Sequence, residues 1–261
     1  MRTTVVLVVH NQLALTRACL ASLRATTAPF TLCAVDNASS DGTEAALREA
    51  PWPLDYTRNA ENVGLIRALN QGGARVATEF ACFLHNDTEM LEPEWLSRLE
   101  VAASRPDVGL AGLYGAQRLR RDGRFAGRSI VHCLDGPGRM PAPVVDVAAV
   151  DGVCLFIRRA LLDAVGGFDE GYGFFHGYDR DLSFAVQAAG RRCVVVDAPF
   201  VHRGGGTRTG PSAPRRAEED LADRRAALAR FASKWSARLP CDVRTVRERV
   251  AGRIAALWAA R

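Results

Sequence analysis

Paired cysteines, long apolar runs and internal repeats are what this chain of 261 residues lacks, and it is nearly without lysine. Its seven cysteines are odd in number and scattered, and no CxxC spacing offers a zinc site. A reduced, cytoplasmic setting fits better than a disulfide framework. No stretch approaches the roughly 18 apolar residues of a membrane span, and Val5 to Val9 is too short for the core of a signal peptide. A hydrophobic fraction of 48% with 24% charged residues excludes disordered and collagen-like classes. The length suits one large α/β domain, or one domain with a small appendage. Lys234 is the only lysine, so the positive charge is carried by arginine, a bias read as GC-rich coding rather than chemistry.

The net charge of +5 is unevenly spread. From Arg203 onward there are 14 Lys or Arg against 6 Asp or Glu, which leaves the preceding residues slightly acidic. A basic tail suits an anionic membrane surface, a nucleic acid or merely a solvated helix face. Aromatics are not interleaved with the arginines beyond Phe231, Trp235 and Trp258, which disfavours nucleic acid.

Thr3 to Val9 reads as a strand, and Leu13 to Leu23 carries apolar residues at helical spacing. The unit recurs with a strand over Phe30 to Val35 and a helix over Thr43 to Glu49, where Ser40 or Asp41 is available as N-cap. A brief strand around Tyr56, a helix over Leu65 to Val76 and a buried strand over Phe80 to Leu84 continue it. Such alternation predicts a mainly parallel sheet flanked by helices. After a helix over Pro93 to Ser104, glycines and prolines predict loops and antiparallel pieces. Then come a strand over Val153 to Ile157, helices over Arg159 to Val165 and Asp181 to Ala189, and a strand over Cys193 to Val196. The run Gly204 to Ser212 reads as a mobile loop and marks a boundary. Residues 1–205 form the expected main domain. Residues 206–261 form a helical extension with amphipathic helices over Ala217 to Trp235 and Val243 to Trp258, the second striped by Val243, Val246, Val250, Ile254 and Leu257.

In open α/β sheets ligands bind beyond the carboxyl ends of the strands, so the polar residues that follow each apolar run are the candidates. They are His10 and Asn11, Asp36 and Asn37, and Asn86 and Asp87. Asp36 could accept from a base edge or ribose, and equally could serve an ordinary strand-to-helix turn. Asn62, Val63 and Gly64 open a helix carrying Arg67, which could meet an anion or simply be surface charge. Asp87, at the ligand edge of a buried strand, suits a hard divalent cation, and otherwise caps a loop. Asp179 and Asp181 stand at a helix entrance behind Phe174, Phe175 and His176, as a general base or as an N-cap. His202 follows the last strand, where its imidazole could be a further metal ligand.

In this order, Asp36 to Thr43, Asn62 to Gly72, Asp151 to Phe168, the acidic stretch through Leu182 and His202 resemble the family 2 glycosyltransferases of the GT-A fold, particularly their rhamnosyltransferase-like bacterial branch. The resemblance covers about residues 3 to 205. It implies an inverting transfer of one sugar from a nucleotide-diphosphate donor, UDP- or dTDP-linked, to a saccharide, lipid-linked or other hydroxyl acceptor in bacterial cell-surface polysaccharide or glycoconjugate synthesis. Asp179 would be the base and Asp181 its reserve. Asp87 and His202 would ligate Mg²⁺ or Mn²⁺, while His10, Asn11, Asp36, Asn37, Asn62, Arg67 and Asn86 would line the nucleotide-sugar pocket. Gly152, Phe175 and His176 would border the acceptor. The loop holding Arg208 would close over the donor. Apart from the resemblance, the apolar stripe of the last helix suits a core or a dimer seam, and the basic helices suit contact with the inner face of the membrane.

Two departures stand out. The family's acid-any-acid metal motif reads His85, Asn86, Asp87, and its Glu-Asp pair reads Tyr178, Asp179. They motivate the alternative of a donor-binding or scaffolding protein without turnover. A sugar nucleotidyltransferase is the other competitor, although the early Gly-rich triphosphate loop it requires is missing after the first strand.

Overall fold

Almost wholly β-branched, Thr3–Val9 forms β1, an interior strand of an eight-stranded sheet. In the computed structural model the described residues are 1–136, 140–204 and 217–245. Helix α1 (Leu13–Leu23) buries Thr16, Cys19, Leu20 and Leu23. It leads to β2 (Phe30–Asp36), α2 (Thr43–Arg48), β3 (Leu54–Arg58), α3 (Leu65–Arg75) and β4 (Phe80–His85). β4, β1, β2 and β3 lie side by side and parallel, as expected of a chain that alternates strand and helix.

Beyond β4 come β5 (Thr88–Met90), α4 (Trp95–Ser104), β6 (Val108–Gly112), β7 (Tyr114–Ala116), β8 (Arg118–Leu119), β9 (Ile130–His132), β10 (Val144–Val147) and β11 (Ala149–Val150). They are followed by β12 (Cys154–Arg158), α5 (Arg159–Ala164), α6 (Tyr178–Ala188), β13 (Arg192–Val196) and β14 (Phe200–His202). The full sheet order is β10-β13-β6-β12-β4-β1-β2-β3. β12 inserts antiparallel between β4 and β6. The Gly-rich middle stretch supplies the small antiparallel sheet β11-β7-β9, as its composition predicts.

Local capping departs from the sequence reading in one instructive way. Gly42, at φ 84°, is the N-cap of α2, and Asp41 instead accepts from the Thr43 backbone and hydroxyl with one oxygen and from the Leu13 N–H with the other. One carboxylate thus fixes the starts of two helices on the same edge of the sheet. Burial opposes ionisation of Asp41, but these donors outweigh it and lower its pKa.

Helix α7 (Ala217–Lys234) and β15 (Cys241–Asp242) complete the described chain. α7 packs on α6 through Phe231, fully buried, edge-on to Phe184 at 5.0 Å. Burying such a ring is worth about 2 to 3 kcal/mol. β15 pairs antiparallel with β8. Residues 243–245 are not helical, and the remainder of the second helix expected over Val243 to Trp258 lies outside the described residues, as do residues 205–216 with Arg208. No helix among the described residues is long and apolar enough to cross a membrane.

Candidate active site

The strand ends open onto two adjoining cavities. An inner one of about 160 Å³ has Val8, Leu65, Leu69, Phe83 and Leu155 among its walls, together with His10, Asn37, Asn62, Asn86 and Asp87. An outer cleft of about 850 Å³ lies between α6, α7 and the loops after β8 and β11. His85, Gly152, Phe175, Tyr178 and His202 line both. They are the floor on which two ligands would meet.

At that junction β5 pairs antiparallel with β14, with Thr88 opposite His202, so His202 arrives beside Asp87 from more than a hundred residues away. His202 Nε2 is 3.2 Å from Asp87 Oδ1, His85 Nδ1 is 3.4 Å from His202 Nε2, and His85 Nδ1 is 3.9 Å from Asp87 Oδ1. Two ligands at adjacent positions of one divalent ion, each bound at about 2.1 Å, are about 3 Å apart, so these residues fit a metal with little movement. Among the described residues they form the one cluster of three potential ligands. The sequence reading treats His85 as the place where a carboxylate is lost; in the structure its imidazole completes the donor set.

Burial works against the ionised form of Asp87, but the His202 hydrogen bond and the charges of His85 and His202 outweigh it and lower the pKa. His85 Nε2 lies 3.1 Å from the Tyr178 hydroxyl. With Nδ1 turned to a metal, Nε2–H donates to Tyr178, which fixes tautomer and ring orientation. Burial first, then the charges of Asp179, Asp151 and Asp87, drives the Tyr178 phenol well above its usual pKa, so it stays neutral. A Cβ at Gly152 would collide with this hydroxyl, which explains glycine there.

Asp179 and Asp181 face different ways although both are buried in the first turn of α6. Asp179 lines the outer cleft, with Arg180 Nη1 3.3 Å from its Oδ1. Asp151 lines the same cleft, and burial together with the nearby Asp179 charge raises its pKa. Asp181 instead accepts from the Tyr172 hydroxyl at 2.9 Å, Trp235 Nε1 at 2.7 Å and Lys234 Nζ at 2.9 Å. It fastens α7 to the body and lines neither cavity. Nor is it an N-cap, a position held by Gly177 at φ 84°.

Several of the expected nucleotide contacts are structural. Asp36 is fully buried, and its carboxylate accepts from the Ser39 N–H, the Tyr56 hydroxyl and Arg58. Three donors of the protein itself thus hold this carboxylate. Asn11, at φ 54°, accepts from the Ser40 N–H and forms a turn outside the inner cavity. Arg67 pairs with Glu170 on the surface, away from both cavities. The α3 terminus offers little to an anion, because Asn37 accepts from the Val63 N–H, Asn62 from the Gly64 N–H and Phe174 O from the Leu65 N–H. His10 and Asn86 do line the inner cavity, the first with Nδ1 2.7 Å from Asn37 O, the second donating to Thr16. Phe175 and His176 line the outer cleft, His176 2.9 Å from Asp220 of α7. Arg180 and Arg224, also in that cleft, carry no sequence motif and were invisible before folding.

Comparison with known proteins follows this geometry. Two curated relatives are O-antigen biosynthesis protein RfbC of Myxococcus xanthus and the uncharacterized protein y4gI of Sinorhizobium fredii. The first is 29% identical over 162 residues, 56% of this chain and 13% of RfbC. The second is 30% identical over 191 residues, 62% of this chain and 20% of y4gI. The chain thus spans a fifth or less of the relatives it matches. Similar solved structures include GalNAc-T7 with UDP, GalNAc and Mn²⁺, at TM-score 0.65 and 15% identity over 77% of this chain and 42% of that one. Mannosyltransferase PcManGT of Pyrobaculum calidifontis, with GDP-Man and Mn²⁺, has TM-score 0.59 and 18% identity over 100% of this chain and 81% of that one. TarS of S. aureus with UDP-GlcNAc has TM-score 0.59 and 17% identity, covering 90% and 72%. These neighbours share the GT-A fold. The sequence profile named Glycosyl transferase family 2 matches residues 4–165, which is more than half of the molecule, and the chain therefore belongs to that family.

Proposed function

We propose that the protein is an inverting glycosyltransferase that moves one sugar from a uridine or thymidine diphosphate sugar to a hydroxyl acceptor, in the synthesis of a cell-surface polysaccharide or glycoconjugate. The observation that carries this reading is the shared floor, where the His85, Asp87 and His202 donors adjoin a cleft containing Asp179. The donor's diphosphate lies over the metal ligands, and its sugar meets the acceptor at Gly152 and Tyr178. With Asp36 turned inward, the choice of base rests on other contacts. The uridine preference leans on TarS with UDP-GlcNAc, and PcManGT with GDP-Man makes the guanosine donor the control.

His85, Asp87 and His202 would hold a divalent cation, which when bound offsets negative charge on the departing diphosphate. Two imidazoles and one carboxylate suit Mn²⁺ better than the all-oxygen preference of Mg²⁺. Asp179 takes the proton of the acceptor hydroxyl, whose oxygen attacks the anomeric carbon opposite the departing nucleoside diphosphate. Arg180 orients that carboxylate. Asp151, its pKa raised, receives a hydrogen bond from the Val153 N–H and borders the acceptor. Phe175 closes the junction against water. α7 forms a wall of the acceptor side, which is the role proposed for the extension after residue 205.

The test incubates the protein with UDP-, dTDP- and GDP-sugars and Mn²⁺ or Mg²⁺ in the presence of acceptor glycosides. Nucleoside diphosphate release with an inverted anomeric product is expected. Release of pyrophosphate, or donor binding with no release under any condition, would overturn the reading.

A further inference from the structure

The outer cleft carries more positive charge than a base and a neutral sugar require. Three guanidinium groups line it, from Arg180 on α6, Arg224 on α7 and Arg124 in the loop after β8. Arg124 sits at the rim near Asp122. Arg180 is largely buried, with its guanidinium 4.3 Å over the Phe125 ring. Its Nη1 is 3.3 Å from Asp179, while its Nε is buried with no hydrogen-bond partner. A buried N–H left unpaired in the folded protein costs free energy that a ligand acceptor recovers.

Against these three cations the cleft sets two carboxylates, Asp151 and Asp179. Its one further basic side chain on the acceptor side, His176, is already engaged by Asp220. Tyr114, stacked on His132, and Phe125, under the Arg180 guanidinium, add aromatic surface to its walls. Guanidinium forks recognise carboxylates and phosphates through paired hydrogen bonds.

Resting on the transferase reading above, we propose that the acceptor is an anionic glycoside, whose phosphate or carboxylate is held by Arg180 and Arg224 while its hydroxyl faces Asp179. Arg224 is the cleaner probe because it lies on the exposed face of α7 and touches neither Asp179 nor the metal ligands. Its guanidinium selects the acceptor; Arg180 both selects and orients the base.

Binding is measured by ligand-observed NMR in saturating UDP and Mn²⁺, which occupies the donor side. The probes are methyl glucoside, methyl glucuronide and glucose 1-phosphate. At least one anionic probe is expected to bind roughly tenfold more tightly than the neutral glycoside, with the preference shrinking as salt is raised. Whichever of the two binds more tightly identifies phosphate or carboxylate as the group. Arg224→Gln should cut that preference several-fold, and the Arg180→Gln, Arg224→Gln double variant should erase it, with UDP affinity unchanged. Equal binding of all three probes, or none, overturns the proposal, as does a preference that survives the double variant. A parallel loss of UDP affinity in Arg224→Gln also overturns it, by assigning the arginine to the donor. Failure of the wild type to bind UDP at all would instead strike the transferase reading.

Discussion

On the donor side, the residues after β1 and β2 and before α3 spend their polar atoms on one another. Asn37 accepts from Asn59 and the Val63 N–H and donates to Gly64 O, while Asp36 accepts from Ser39, Tyr56 and Arg58. On the acceptor side, Asp179, Arg180 and Arg224 face an open cleft, and Arg180 keeps an unpaired N–H. The first wall is a finished scaffold that shapes a pocket through backbone and apolar surface; the second holds its hydrogen-bonding capacity for a ligand. On the proposed function, such a division would let one fold keep a common donor while acceptors vary, because specificity would rest on groups whose partners arrive with the substrate.

The contrast can be broken most severely at Asp179. Asp179→Asn is expected to lower kcat by about 10³-fold with donor affinity retained, measured as product formation alongside UDP titration. Equal loss of donor affinity would move Asp179 to the donor wall. Next is Tyr178→Phe, which leaves His85 without its outer partner. Mn²⁺ affinity should weaken about 10- to 100-fold with little change in folding, read from the Mn²⁺ dependence of UDP binding. An unchanged Mn²⁺ titration would remove Tyr178 from the metal site.

Asp181→Ala tests the other face of α6. It strands Tyr172 and Trp235, leaves Lys234 with Asp169 alone, and should cost about 2 kcal/mol in urea unfolding, while the fraction that remains folded transfers sugar at close to the normal rate. A transfer defect as deep as that of Asp179→Asn would return Asp181 to the cleft. The gentlest effect comes from acid. Burial raises the Asp169 pKa, but Lys234, Arg230 and the Gly171 N–H outweigh it and hold the carboxyl at about 2. Because this folded pKa lies below the unfolded value, the contribution is full above about pH 4 and is lost as pH falls through about 2. Trp235 fluorescence should therefore report loosening of α7 in that window, ahead of the sheet; a simultaneous transition would deny the extension any separate give.

The alternating strands and helices were legible because β1 and β13 are β-branched runs, β2, β4 and β12 are short apolar runs, and the helices between them carry apolar residues at helical spacing. Asp87 and His202 were legible as polar residues at strand ends, though their proximity depends on the β5 and β14 pairing. Asp36 misled for a tertiary reason. Tyr56 and Arg58 lie on β3, some twenty residues later, and only sheet pairing turns them onto its carboxylate. Arg67 misled because helical periodicity does not say whether an exposed face meets a ligand or, as here, Glu170. His85 looked like a missing acid because a motif read as carboxylates hides the fact that imidazole serves the same ion. Arg180 and Arg224 occupy different helices and share a cleft only after α7 docks.

The ribbon that joins Thr88 to His202 has a consequence for biosynthesis. As the chain emerges from the ribosome, the nucleotide half of the sheet is complete by His85, yet the last member of the cation-holding trio is made more than a hundred residues later. A chain that stops before Val201 holds the residues of the four parallel strands β4, β1, β2 and β3 but only two of the three potential ligands. Completion of the His85, Asp87 and His202 cluster thus waits until the late strand has zipped onto the early one.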